Sequence, residues 1–373
     1  MPLRRLPVVV LVAMVMVGCG PSPVVPSPSP VAVAPPTSTP SLTVSPSAPP
    51  TPTPTPSPTP EPTPSLLPAD LTGLPVDPSV AHRLPLAVMI DDARAARPQS
   101  GFNAASIVYQ APADGYETRY LFLYQETEGE DIGPVRSARF FLIQWAQETR
   151  SVMGHYGGDQ RSRTYLKYHP KQFTDVDALG RGSKAFHRIK TRSAPHNGYT
   201  STADLRTVAA RLGAPETLDP DVFRRPFRDA LPIDARAPGQ HIRVPYSTNV
   251  ITYRYDPATN LYRRSIDGRA HIDPADDQRV TTTNVVVLFQ RFRIDTKIEP
   301  GHARPDLTTV GSGKAIVYQE GHRIEATWRK VDDTGPTRLF DADSGAELPL
   351  VRGRTFFQVV PTGTKVSDRA EGG

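Results

Sequence analysis

An α/β domain followed by a β-rich domain is the fold class this sequence predicts, and three observations predict it. Short apolar runs alternate with helix-patterned segments between residues 86 and 168. The texture turns to alternating strands and tight turns after about residue 235. The first 68 residues carry nothing that could join a core. Strands interleaved with helices build α/β layers, whereas strand after strand builds a sandwich or barrel.

The leader comes first in the chain. Arg4 and Arg5 precede VVVLVAMVMV, which ends at Gly18 and Cys19. A membrane-crossing helix needs roughly 20 apolar residues, so residues 1–18 read as a signal peptide that is removed. The small residue before Cys19 makes MVGC similar to a lipobox, which predicts lipidation of Cys19 as the new amino terminus; Met16 stands where Leu is more usual. Because Cys19 is the one cysteine in 373 residues, an internal disulfide and a cysteine-rich zinc site are excluded. Residues 19–68 then read as a Pro/Ser/Thr-rich stalk, too poor in apolar surface to collapse and held extended by its prolines. At ~3.1 Å per residue it reaches roughly 100 Å or more from a membrane.

The remainder divides into an α/β domain over 69–235 and a β-rich domain over 236–373. In the first, LAVMI (86–90) reads as a buried strand delivering Asp91 and Asp92 at its carboxyl end. ASIVYQA (105–111), RYLFLYQE (119–126) and SVMGHYGG (151–158) read as further strands, and residues 137–148 as a helix packed on the sheet. DQRSRTYLKY (159–168) is a second helix with Asp159 as its cap. In the second domain, ITYRYDPATNLYRRSIDG is a pair of strands about a turn, and NVVVLFQRFRI is one long strand. KAIVYQEGHRIEATWRK is a hairpin about Glu320 and Gly321, TRLFDADSGAELPL repeats that pattern about Ser344 and Gly345, and TFFQVVP closes the series. GSGK (311–314) lacks the length and the following Ser or Thr of a phosphate loop and reads as a turn. Tyr253, Tyr255, Tyr262, Trp328, Phe356 and Phe357 fall at strand spacing and read as core.

Candidate chemistry starts at GPVRSAR (133–139). Gly133 and Pro134 read as the turn into the helix, so Arg136 and Arg139 flank its positively polarised amino end and need acids nearby. Asp91 and Asp92 are the first candidates, Asp114 and Glu117 the second. Gathered at the strands' carboxyl edge with Arg119, they form either closed ion pairs or a half-open anion site, since guanidinium forks grip carboxylate and phosphate alike. His155 ends a strand before a glycine turn and a helix start, where it could act as a general acid or base. The stretch FHRIKTRSAPHNGYT (186–200) reads as a loop holding His187, Arg188, Arg192, His196 and Asn197, of which His196 and Asn197 could complete a site with His155. The His and Asp residues lack the tight spacing of a metal site, so no metal or other cofactor is implied.

PLAVMIDDARAARPQSGFNAASIVYQAPADGYETRYLFLYQ, GPVRSAR, HYGG and APHN together resemble the YerB-like bacterial lipoproteins, and NVVVLFQ, ATWRK and FFQVVP resemble that family's second domain. The resemblance spans nearly everything after the stalk. It implies a layered α/β sandwich, a lipid anchor at the outer face and no assigned catalytic residue. It also implies that Asp91 and Asp92 stand where asparagines are common and that Gln110 stands where an acid is usual, so an ion-pair partner has moved.

The expected function is a cell-envelope lipoprotein binding an anionic ligand or wall component through an Arg/His-lined cleft. The candidate binding residues are Arg119, Arg136, Arg139, His155, Asp91, Asp92, His187, Arg188, His196 and Asn197. The rivals are an extracytoplasmic hydrolase of a wall polymer or phosphoester and an envelope scaffold. The formal charge of +5 includes Arg4 and Arg5, which leave with the leader. The mildly basic remainder suits wall polymers or lipid headgroups, and the compartment excludes nucleic acid. Nothing in the pattern specifies an oligomeric state.

Overall fold

The structure is a computed structural model that describes residues 65–370. The leader and Cys19 lie outside those residues. In the first half the strands are β1 (Leu86–Asp91), β2 (Ile107–Pro112), β3 (Thr118–Tyr124), β4 (Val152–His155) and β5 (Thr174–Asp177). The second half supplies β6 (Gln240–Pro245), β7 (Val250–Asp256), β8 (Leu261–Ile266), β9 (Asn284–Gln290), β10 (Gly311–Gln319) and β11 (His322–Lys330). It continues with β12 (Arg338–Asp341), β13 (Thr355–Pro361) and β14 (Ser367–Ala370).

Both halves contribute to one mixed sheet of ten strands, in the order β12-β11-β10-β9-β13-β2-β3-β1-β4-β5. The halves join at β13, which runs parallel to β9 on one side and to β2 on the other, with Thr355 opposite both Asn284 and Ile107. Continuous burial explains the continuous apolar runs. Every residue of β1 and β3 is buried, as strands covered on both faces require. On one face Met89, Leu121, Val286 and Val359 pack with Phe141, Leu142 and Trp145 of helix α1 (Phe140–Ala146) and Leu166 of α2 (Gln160–Tyr168). On the other, Val88, Ile90, Phe122 and Val287 meet a smaller antiparallel sheet and helix α3 (Thr202–Arg211) through Tyr253, Tyr255, Tyr262 and Leu205.

The smaller sheet runs β14-β6-β7-β8, with Arg269–Ala270 at its edge. Its strands alternate between exposed and buried residues, so Ile251, Tyr253 and Tyr255 of β7 and Tyr262 of β8 face the large sheet. The six aromatics read as core are all buried.

Local signals hold at the helix starts. The Asp159 carboxylate accepts from Ser162 N at 2.8 Å, and the Ser201 hydroxyl accepts from Asp204 N at 3.0 Å. The β10–β11 turn is the expected one, with Glu320 and Gly321 at φ 55° and 75°. A Cβ on Gly321 would stand 2.7 Å from Tyr255, so glycine is required there for space as well as for conformation.

Several expectations need correction. Residues 137–148 were expected to be helical, but α1 begins at Phe140, because 132–138 are occupied elsewhere. Asp91 N donates to Pro134 O at 2.9 Å and Arg136 N to Met89 O at 2.7 Å, so this segment runs extended beside the end of β1. NVVVLFQRFRI is not one strand: β9 stops at Gln290, and Phe292–Glu299 turns away to pair with His302–Leu307. GSGK is not a turn but the first residues of β10, laddered against Thr327 to Lys330. The loop over 186–200 closes as a small hairpin, Phe186–Arg188 against Gly198–Thr200. The pattern about Ser344 makes only a single bridge, Phe340 to Glu347, because Leu350–Val351 pairs with Phe227–Arg228.

One inward position of β8 breaks the apolar rule. Arg264 is fully buried between the two sheets. Its guanidinium donates to Gln110 Oε1 at 2.8 Å, to Tyr120 Oη at 3.0 Å and to His271 Nδ1. Gln110 Nε2 in turn donates at 3.2 Å to Asp92, which is also fully buried and accepts from Arg97 Nε at 2.9 Å, Gln99 Nε2 at 2.7 Å and Thr118. Removing a buried cation from such a network strands its partners. Arg264→Met is expected to lower unfolding free energy by about 3 kcal/mol or more, seen as a shifted denaturant midpoint at unchanged slope.

Candidate functional site

Asp91 and Asp92 are neighbours in sequence, yet the period of a strand sends them to opposite faces of the sheet. Asp92 enters the buried network with Arg264. Burial pushes its carboxyl above the ordinary value against the pull of Arg97, Thr118 and Arg264. Asp91 faces the helix side, where its Oδ2 lies 3.0 Å from Arg136 Nε and 2.7 Å from His196 Nδ1, while Oδ1 accepts from Ala93 N at 3.1 Å.

Arg119 stands opposite Asp91 in the β1–β3 ladder. It donates to Ser137 O at 2.9 Å, and its Nε has no partner. Burial, together with repulsion from Arg139 and Arg136, lowers its pKa to about 9 despite Asp91 and Asp114. Arg139, the residue before α1, donates through Nε to Asp114 Oδ2 at 2.7 Å and lies 3.7 Å from Asp159. Arg304 from the Phe292–Leu307 hairpin reaches the other oxygen of Asp114 at 2.9 Å. Burial would raise the Asp114 carboxyl, but Arg139 and Arg119 hold it below the usual value. The acids that the arginines required are therefore present: Asp91 for Arg136, Asp114 and Asp159 for Arg139. Both arginines are largely covered.

The 186–200 hairpin lies over the segment after β1. Arg192 donates to Pro98 O at 2.6 Å and to Ala96 O, which brings His196 to Asp91. Arg188 donates to Asn197 Oδ1 at 2.5 Å and sits 5.1 Å from the Tyr156 ring centre. Asn197 Nδ2 closes onto Ile189 O at 3.2 Å. His187 is exposed and 6.4 Å from the Tyr199 ring.

His155 belongs to a different set. Its ring is buried, with Nδ1 2.8 Å from Gly157 O and Nε2 2.7 Å from Asp175 Oδ1. Burial would lower its pKa, but Asp175, Asp177 and the Gly157 carbonyl raise it overall. The ring borders a cleft of about 870 Å³ whose wall includes Arg150, Arg163, Lys167, Lys171 and Arg181. The two acids there are engaged: Asp175 with His155, and Asp177 with the backbone N–H groups of Gly157 and Leu179 at 2.8 and 2.9 Å. Among the described residues Arg163, Lys167, Lys171 and Arg181 form no ion pair. None of these cations was singled out in the sequence. Arg163, Lys167 and Lys171 recur every fourth residue along and just past α2, a spacing that marks one helix face and was the available signal.

A raised histidine pKa stabilises the fold below the unfolded-state value, and that gain is lost as pH rises through the folded-state value. Asp175→Asn is therefore expected to lower the melting temperature most below about pH 6.5, with the gap to wild type closing as pH rises past the titration of His155. Thermal unfolding across pH 5 to 9 measures it.

Residues 71–215 match the N-terminal domain, and residues 242–357 the C-terminal domain, of the family described as "Protein of unknown function (DUF3048)". The chain is 31% identical over 301 residues to the Bacillus subtilis (strain 168) protein named "Putative lipoprotein YerB", covering 79% of this chain and 86% of that one. It also superimposes on the crystal structure of YerB protein from Bacillus subtilis with a TM-score of 0.71 at 28% identity, covering 81% of this chain and 99% of that one. Matching both halves in sequence and the whole body in shape, the chain belongs to the YerB-like, DUF3048 family.

Proposed function

We propose that this protein is a lipid-anchored envelope module that binds an anionic polymer of the cell wall in the cleft beside His155. The observation that carries the reading is the hydrogen bonding of the His155 ring. Both of its nitrogens face acceptors, a backbone carbonyl and a carboxylate, an arrangement in which both nitrogens can donate only when the ring is an imidazolium, the form that these acceptors favour. A ring with no free lone pair supplies fixed charge rather than general-base chemistry, which favours binding over the hydrolase reading. Around it stand the unpaired cations of α2 and the segment after it, a surplus of positive charge that raises the local concentration of a polyanion.

In this reading Arg119, Arg136 and Arg139, matched by Asp91 and Asp114, brace the neighbouring sheet edge, and the anchor is Cys19, which lies outside the described residues. The relative named a lipoprotein supports outer-face attachment. No helix among the described residues is long and apolar enough to cross a membrane, so an anchor ahead of the stalk is consistent with them.

The test is binding of the full chain, in detergent, to long-chain inorganic polyphosphate as a generic polyanion, followed by isothermal calorimetry. Affinity is expected to fall steeply as salt rises from about 0.05 to 0.3 M. The combined variant Lys167→Ala, Lys171→Ala, Arg181→Ala is expected to lose about tenfold or more in affinity, while stability changes by no more than about 0.5 kcal/mol per exposed site. Binding that is indifferent to both salt and the triple change would overturn the reading.

A further inference from the structure

A second cavity, of about 1030 Å³, opens on the other face of the large sheet, between Arg94 and Arg97 after β1 and Ile266, Arg269, His271 and Ile272 at and after the end of β8. None of its histidine, arginine or isoleucine residues belongs to the cleft beside His155.

His271 decides its chemistry. The residue is 4% exposed and its ring is held edge-on by Phe102 at 4.5 Å. Its Nδ1 meets the Arg264 guanidinium, which has N–H groups and no lone pair to offer. Nδ1 must therefore accept, and the ring is neutral with its proton on Nε2. That Nε2–H has no protein acceptor among the described residues and is not sealed from solvent, so it is a donor presented to the cavity the ring lines. A fixed, largely buried donor without a protein partner calls for an acceptor from outside.

The walls narrow the choice of acceptor. Arg94 and Arg269 are in no ion pair among the described residues, whereas Arg97 is held at 2.9 Å by Asp92 and lies 3.5 Å from Asp267. The carboxylates Glu117, Asp267 and Asp277 also line the cavity and balance the three arginines. One neutral donor and no net surplus of charge favour a monoanion over a phosphate dianion. Ile266 and Ile272, the latter 40% exposed, offer an apolar wall beside the donor. We infer that this cavity is a second binding site, for a small organic monocarboxylate with an apolar body, such as the carboxyl end of a short peptide. His271 Nε2–H donates to the carboxylate, Arg94 and Arg269 close over it, and Ile266 and Ile272 receive the apolar part. Arg264 acts as a positioning residue by fixing the histidine tautomer.

The experiment titrates the full chain in detergent with N-acetyl-leucine, N-acetyl-leucinamide and phenyl phosphate, followed by calorimetry and by the imidazole nitrogen resonances of His271. The acid is expected to bind and to shift the Nε2 signal, with the amide at least tenfold weaker and phenyl phosphate weaker than the acid. His271→Asn, whose side-chain oxygen can still accept from Arg264 but leaves nothing at the Nε2 position, is expected to cost about tenfold in affinity for the acid. Arg269→Ala, at an exposed edge, is expected to cost several-fold with an unchanged melting temperature, and it decides the matter should the histidine variant fail to fold. The proposal is overturned if acid and amide bind alike, if the acid leaves the His271 signals unmoved, if phenyl phosphate binds more tightly, or if the acid shows no binding at millimolar concentration. Polyphosphate binding at the cleft beside His155 is untouched by either variant, so the two sites stand or fall separately.

Discussion

A guanidinium with no exposed surface sets the terms for how the two sheets meet. Arg264 arrives on a strand of the smaller sheet and finds its acceptors on the larger one, Gln110 and Tyr120, with Asp92 one hydrogen bond further on. An apolar face would tolerate sliding by a residue or more, but a buried fork does not, because each displaced N–H would lie in a dry interior without a partner. Burial opposes its charge, and the Tyr120 and Tyr253 phenols and Asp92 outweigh that, holding its proton more firmly than usual. The same cation keeps His271 neutral, its pKa far below the ordinary value through burial and the nearby Arg264, Arg279 and Arg97. One residue thus fixes the register between layers and the tautomer at the bottom of a cavity.

Most of the large sheet was legible in the sequence because its strands are buried on both faces and leave continuous apolar runs. LAVMI, IVYQA and VVVLF needed no subtler signal. What the pattern could not convey was which run lies beside which. TFFQVVP reads as a last strand, and nothing local says that it sits between strands separated by well over a hundred residues of chain. Two of the misread segments share a cause: at 132–138 and at Leu350–Val351 the backbone pairs with a distant partner, and tertiary hydrogen bonding overrides a local turn or hairpin signal.

The candidate site shows the same division. That Arg136 and Arg139 needed acids followed from charge alone, and Asp91 and Asp114 are the acids they meet. That Asp91 and Asp92 part company across the sheet follows from strand geometry once Asp91 is known to end a strand. Arg264 was concealed by its neighbour. In LYRRSI two arginines adjoin, and only the inward placement of Tyr262 tells that the second of them, two residues on, is the buried one. His271 carried no local signal of burial: its partner Arg264 lies only seven residues back, across the turn that pairs Arg269–Ala270 with the end of β8, and it is Arg264 that packing between the layers buries.

The seam at β13 bears on the order in which the sheet can be completed. Residues 355–361 lie sandwiched between β2 and β9, so each of those strands keeps a raw edge until β13 has docked. Exposed edges of apolar strands invite pairing with the wrong neighbour, and closing so long a loop is slow. The first half cannot complete its own sheet: the strand in the middle of the ten is supplied by the second half.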